Sequence, residues 1–148
     1  MRIALGFQTK IDSGATLAGL PLRLIRLLAQ VRLATPEGWS RSRSAIVDTG
    51  NPVSIIPQSV WSELALPPTL GLRRRLRGIG ASDQTAISGT LSRIRVLLHD
   101  DRNASDPVEM RAFLLDNDAA PFLIGFEDIL TRVTLHCEYA AGLAYLDI

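Results

Sequence analysis

Ser44-Ala45-Ile46-Val47-Asp48-Thr49-Gly50-Asn51-Pro52-Val53-Ser54-Ile55-Ile56-Pro57 decides how the rest of the chain is read. An apolar run, Ala45 to Val47, ends in a carboxylate, and a second apolar run, Val53 to Ile56, begins a few residues later. The pattern predicts a buried strand, a tight turn and another strand, with Asp48 at the turn. Gly50 suits a turn that a residue with a Cβ would resist. The Thr49 hydroxyl is able to tie such a turn locally. A carboxylate at the mouth of two apolar strands is costly to place there, so Asp48 asks for an explanation.

A second segment follows about 75 residues on. Pro121-Phe122-Leu123-Ile124-Gly125 reads as a short buried strand, and Phe126 to Thr131 as a short helix. The two segments together resemble the retropepsin-like aspartic proteases, the single-lobed relatives of pepsin. That family's signature is two apolar residues, Asp-Thr-Gly, a small residue, two variable positions and Ser or Thr. Here it reads Ile46-Val47, Asp48-Thr49-Gly50, Asn51, Pro52-Val53 and Ser54. In the family an apolar-apolar-Gly segment packs beside the catalytic turn, which Leu123-Ile124-Gly125 matches. The closing hairpin, Val133 to Ile148, looks like that of bacterial members, so the resemblance spans roughly residue 22 to the end.

The resemblance implies an aspartic endopeptidase active as a homodimer on a peptide or protein substrate, with no metal or other cofactor. One lobe supplies one carboxylate, Asp48, and a second copy supplies its mate. Two carboxylates a few ångströms apart cannot both ionise easily and share a proton. One then acts as base toward a water and the other as acid toward the scissile carbonyl. Thr49 would brace the pair and Gly50 would leave its backbone open. Asn51 and the tip Gly78-Ile79-Gly80, in the position of the family's flap, would touch substrate. Pro52 and Phe126 stand where retroviral members carry an Asp and an Arg that pair near the dimer interface. Both charges are absent together here, which implies a different interface.

Other readings stay open beside this one. A non-catalytic retropepsin-fold module would dimerise and bind peptides without cutting them, and an unrelated β-barrel would carry the triplet by chance. Asp12-Ser13-Gly14 is a permitted variant of the same triplet, but Lys10-Ile11 precedes it in place of an apolar pair, and the plainer reading is a Gly-containing turn. Arg73, Arg74, Arg75 and Arg77 would select acidic substrates or form a solvated edge. The two histidines, His99 and His136, and the lone Cys137 are too few for a metal cluster. Strand alternation points His136 away from Cys137.

At 148 residues, 47% apolar and 21% charged, the chain has the composition of one globular domain. A net charge of +1 makes no electrostatic case for nucleic acid or an acidic membrane. One cysteine excludes an internal disulfide and fits a reducing compartment. Residues 3–7 are too short an apolar piece for a signal peptide, and no apolar run spans a bilayer. A cytoplasmic protein with no membrane or nucleic-acid partner is therefore expected.

The remaining elements follow from periodicity. Residues 3–8 read as a short strand within an extension, 1–21, of uncertain structure. Leu22 to Leu33 fits helix or strand spacing, and Pro36-Glu37-Gly38, a hairpin turn, decides for strand. Pro57 to Leu64 is a short helix. Leu72 to Arg77 and Thr85 to Leu98 form a hairpin around the Gly-rich tip. Val108 to Leu114 alternates as a strand, and Val133 to Tyr139 and Leu143 to Ile148 are the last two. The expected class is all-β: a retropepsin-like closed barrel of short strands with one or two short helices and a flap hairpin.

Overall fold

Strand alternation dominates the molecule as the sequence leads one to expect. The computed structural model describes residues 1–17, 19–64, 70–76 and 87–148, with 12–17 and 20–21 as backbone only. The strands are β1 (Arg2–Ala4), β2 (Gly6–Leu17), β3 (Leu20–Thr35), β4 (Gly38–Trp39), β5 (Arg43–Val47) and β6 (Ser54–Ile56). Helix α1 (Gln58–Glu63) precedes β7 (Leu72–Leu76), β8 (Ile87–His99), β9 (Val108–Leu115), β10 (Leu123–Ile124), β11 (Thr134–Glu138) and β12 (Leu143–Asp147). β9 shows the alternation plainly: Met110, Ala112 and Leu114 are buried while Glu109 and Arg111 face solvent.

Six strands close into a hydrogen-bonded ring, in the order β3, β5, β10, β6, β9, β8 and back to β3. β10 runs parallel to β5 and antiparallel to β6, so it lies between the two strands that flank Asp48. β1, β12 and β11 form a separate three-stranded sheet. Its inner residues Ile3, Leu5, Ala144 and Leu146 share a core cluster with Val31, Leu33, Val96 and Leu98 of the ring. A smaller cluster, Ile55, Ile87, Leu115, Ala120 and Leu123, takes the other face of these strands, since Ile55 and Leu123 belong to it while their neighbours Ile56 and Ile124 belong to the first. Full burial of such side chains stabilises the fold by about 1.5–3 kcal/mol each.

Three expectations are corrected. Asp12-Ser13-Gly14 is not a turn: its backbone continues β2, which pairs with β3 through Asp12↔Leu22 and shifts register beyond it. The N-terminal extension is accordingly strand, in β1 and β2, well past the short 3–8 piece. Phe126 to Thr131 is a turn running into a single 3-10 helix, Leu130–Arg132, not a regular helix. Asp128 there has φ +70°, a left-handed backbone that a right-handed helix cannot include. Gly78-Ile79-Gly80, expected as the tip of a flap, lies outside the described residues; β7 and β8 pair from Leu72↔Leu91 to Leu76↔Ile87. Arg73, Arg74 and Arg75 are exposed on β7, the end strand of the larger sheet, and Arg73 pairs with Asp116.

Candidate active site

β5 delivers Asp48 to the rim of the ring because Ala45 is fully buried and locks the strand in the core. The Asp48 N–H donates to the Ile124 carbonyl at 2.9 Å, and the Ile46 N–H to the Phe122 carbonyl at 2.9 Å. The backbone under Asp48 is therefore held by the 122–124 segment. The turn closes on itself through the Gly50 N–H, which donates to Asp48 Oδ1 at 2.9 Å. Thr49 is exposed, and its hydroxyl has no hydrogen bond to a described residue. The local tie expected of Thr49 is thus made by the Gly50 amide. Gly50 does not use the left-handed region, which glycine would otherwise make accessible; a Cβ there would sit 3.4 Å from Asp48 Oδ1. Its lack of a side chain keeps the carboxylate uncovered.

The other side of the turn is fastened by residues far along the chain. The Phe126 N–H donates to the Asn51 carbonyl at 2.7 Å and the Glu127 N–H to the Pro52 carbonyl at 2.9 Å. The fully buried Ser54 accepts the Gly125 N–H on Oγ at 3.0 Å. Gly125 packs so closely that a Cβ would stand 2.5 Å from the Val53 carbonyl carbon. Here the absence of a side chain is what lets two backbones touch. Sequence reasoning placed Ser54 in the motif without seeing this bond; the one polar residue within Val53 to Ile56 was the available signal. The 126–129 turn is in turn clamped from β9. Arg111 Nε and Nη2 reach Asp128 Oδ2 and Oδ1 at 2.9 and 3.0 Å, and the Arg111 N–H donates to the same carboxylate. The Arg111 guanidinium holds the Asp128 carboxyl below its usual value.

Asp48 opens into a cavity of about 650 Å³, whose walls include Ile46, Val53, Leu76, Phe113 and Leu123. Ile46, Leu76 and Phe113 also pack on the smaller core cluster, so the cavity floor is the outer side of that core. Asp48 and Arg26 are the charged groups among the described residues lining it. Asn51 lines it too, and its Nδ2 is buried without a hydrogen-bond partner among the described residues. The amide therefore makes no hydrogen bond to Asp48 within one chain. Arg26 was missed in the sequence because its place depends on the register of β3 against β5.

Neither a family model nor any curated protein matches this sequence.

Among the described residues no group of three or more His, Cys, Asp or Glu side chains is placed to hold a metal ion. His99 Nε2 lies 2.8 Å from Ser42 Oγ, away from the Asp48 cavity. His136 stacks on Tyr145 and is exposed, while Cys137 packs toward the core, so the two face opposite ways as alternation predicts. A second cavity, about 560 Å³, lies over the terminal sheet beside the 100–103 loop. Its polar groups engage one another: Arg2 lies 4.6 Å over the Tyr145 ring, and Asp100 accepts N–H groups from Ala4, Arg102 and Asn103. Those bonds hold the Asp100 carboxyl below its usual value. No helix among the described residues is long and apolar enough to cross a membrane.

Proposed function

We propose that this chain is a retropepsin-like aspartic endopeptidase, cytoplasmic and active as a homodimer on peptide or protein substrates. The observation that supports it best is the setting of Asp48. One carboxylate stands at the rim of an apolar cavity, uncovered by Gly50 and fixed by Ile124 and Gly125 from a distant segment. A carboxylate so placed, with no ion pair to a described residue although Arg26 lines the same cavity, suits a second carboxylate across a two-fold axis. Asp48 of the partner subunit would complete a pair sharing one proton. The ionised member takes a proton from water while the other donates to the substrate carbonyl. Asn51 lines the cavity, and its buried Nδ2, without a partner among the described residues, would turn outward to donate to a backbone carbonyl of the substrate.

A second reading, a dimeric peptide-binding module without hydrolysis, also draws on Asn51: a buried donor awaiting an acceptor suits binding whether or not a bond is cut. Cleavage of peptide substrates by wild type and Asp48→Asn, at protein concentrations spanning the monomer–dimer transition, decides between them. Cleavage that requires both Asp48 and the dimer supports the protease. Binding without cleavage at any pH supports the module, and full activity of Asp48→Asn refutes the protease.

A further inference from the structure

Arg26 stands beside the candidate site on a different strand from Asp48, and nothing in the sequence motif accounts for it. β3 and β5 pair through Leu28↔Ile46. Extended two residues forward from Ile46 and two back from Leu28, this antiparallel register brings Arg26 opposite Asp48 on the same face, because side chains alternate with period 2. Both residues line the same cavity. Arg26 is exposed and has no ion pair or hydrogen bond to a described residue. Its neighbour across β2 is Gln8, which brings no opposing charge. A guanidinium is charged at every working pH and offers a planar fork of donors matched to a carboxylate.

We propose that Arg26 is a specificity-determining residue that selects substrates carrying a glutamate or aspartate beside the apolar residue seated in the cavity. The inference rests on the endopeptidase reading for its consequence in cleavage, while its consequence in binding stands apart from hydrolysis. Ile46, Val53, Leu76, Phe113 and Leu123 give an uncharged side chain an apolar seat. A substrate carboxylate entering alone would meet the like charge of Asp48. Arg26 offsets that repulsion at one substrate position and repels lysine or arginine there. At a solvent-open site such a contact gives a factor of about five to ten in favour of glutamate over glutamine. The preference shrinks with added salt, because the screening length falls to about 3 Å at 1 M.

The test uses peptides identical but for Glu, Gln or Lys at one position, moved in turn along each side of an apolar residue. Wild type, Arg26→Gln and Arg26→Glu are compared in cleavage, and binding to Asp48→Asn with and without Arg26→Gln is followed by fluorescence anisotropy. The expected result is a five- to tenfold Glu-over-Gln preference at one position, abolished in Arg26→Gln and turned toward Lys in Arg26→Glu. It should also fade below about pH 4, where the peptide glutamate takes up a proton. A Glu preference of equal size in Arg26→Gln, or none at any position in wild type, overturns the proposal. Glu-selective binding through Arg26 without cleavage keeps the specificity role and removes the protease; cleavage without selectivity does the reverse.

Discussion

Gly125→Ala probes the contact on which the Asp48 turn depends. The new Cβ would lie 2.5 Å from the Val53 carbonyl carbon, 2.7 Å from the Ser54 nitrogen and 2.7 Å from the Val53 oxygen. All three are backbone atoms, so no rotamer change relieves them. The 122–125 segment and the start of β6 have to separate by roughly 1 Å to reach ordinary contact, and overpacking of this kind costs about 1–3 kcal/mol. Separation also stretches the buried Gly125 N–H to Ser54 Oγ bond, and leaving a buried donor unmet costs about 1–3 kcal/mol more. The sum, roughly 2–6 kcal/mol, is a large part of the 5–15 kcal/mol typical of a domain. Urea unfolding followed by tryptophan fluorescence should show the midpoint moving down with its slope unchanged. Trp61 reports on this part of the ring, since its Nε1–H donates to the Leu115 carbonyl. Amide exchange at Asp48, whose N–H is bonded to Ile124, should accelerate by more than exchange in β11. A variant as stable as wild type, with Asp48 exchange unchanged, would refute the close-contact argument.

Ser54→Ala should destabilise by about 1–3 kcal/mol, because it orphans the Gly125 N–H in the core, and Ser54→Thr should restore part of it. Asp128→Ala removes the clasp on Arg111 and puts alanine at φ +70°, a combined cost of about 2–4 kcal/mol after allowing for the half-exposed Arg111. The Arg111 guanidinium depresses the Asp128 carboxyl in the folded state, so its ionic contribution is complete above about pH 5 and is lost as pH falls through the lowered value. The stability gap between wild type and Asp128→Asn should therefore narrow as pH is lowered from neutral through the acidic range; a gap that stays constant would contradict the ion-pair account. For the proposed enzyme, the rate of peptide cleavage should rise and fall about an acidic optimum, as coupled carboxylates require; a steady climb through neutral pH would rule out the shared proton.

Elements built on local pattern were legible in the sequence. The alternation of Val108 to Leu114, the 36–38 turn and the helix after Pro57 all depend on residues within a turn or two of one another. The Asp48 turn was legible for the same reason. What was not legible depends on distant partners. Asp128 takes a left-handed backbone in reach of Arg111, 17 positions away, and that ends the helix which Phe126 to Thr131 suggests. Asp12-Ser13-Gly14 has turn-forming composition, yet β3 offers its backbone a ladder to join. Within the candidate site, Asp48, Gly50 and Asn51 could be named from the motif. Arg26 and Phe113 reach the cavity only through the registers of β3 with β5 and of β9 with β6, which periodicity cannot specify.

The placement of β10 has a consequence in time. Ser54 and Gly125 are 71 positions apart, and the hydrogen bonds that hold Asp48 come from the later segment. At a synthesis rate of about 5–20 residues per second, the Asp-Thr-Gly turn exists on the ribosome for several seconds before its support is made. Until Phe122 to Gly125 emerges, the ring stays open between β5 and β6, and contacts of such long sequence separation are among the slower ones to form. A nascent chain therefore carries the aspartate without the geometry that surrounds it in the finished molecule. Translation order alone keeps Asp48 out of that geometry until Phe122 to Gly125 has been made.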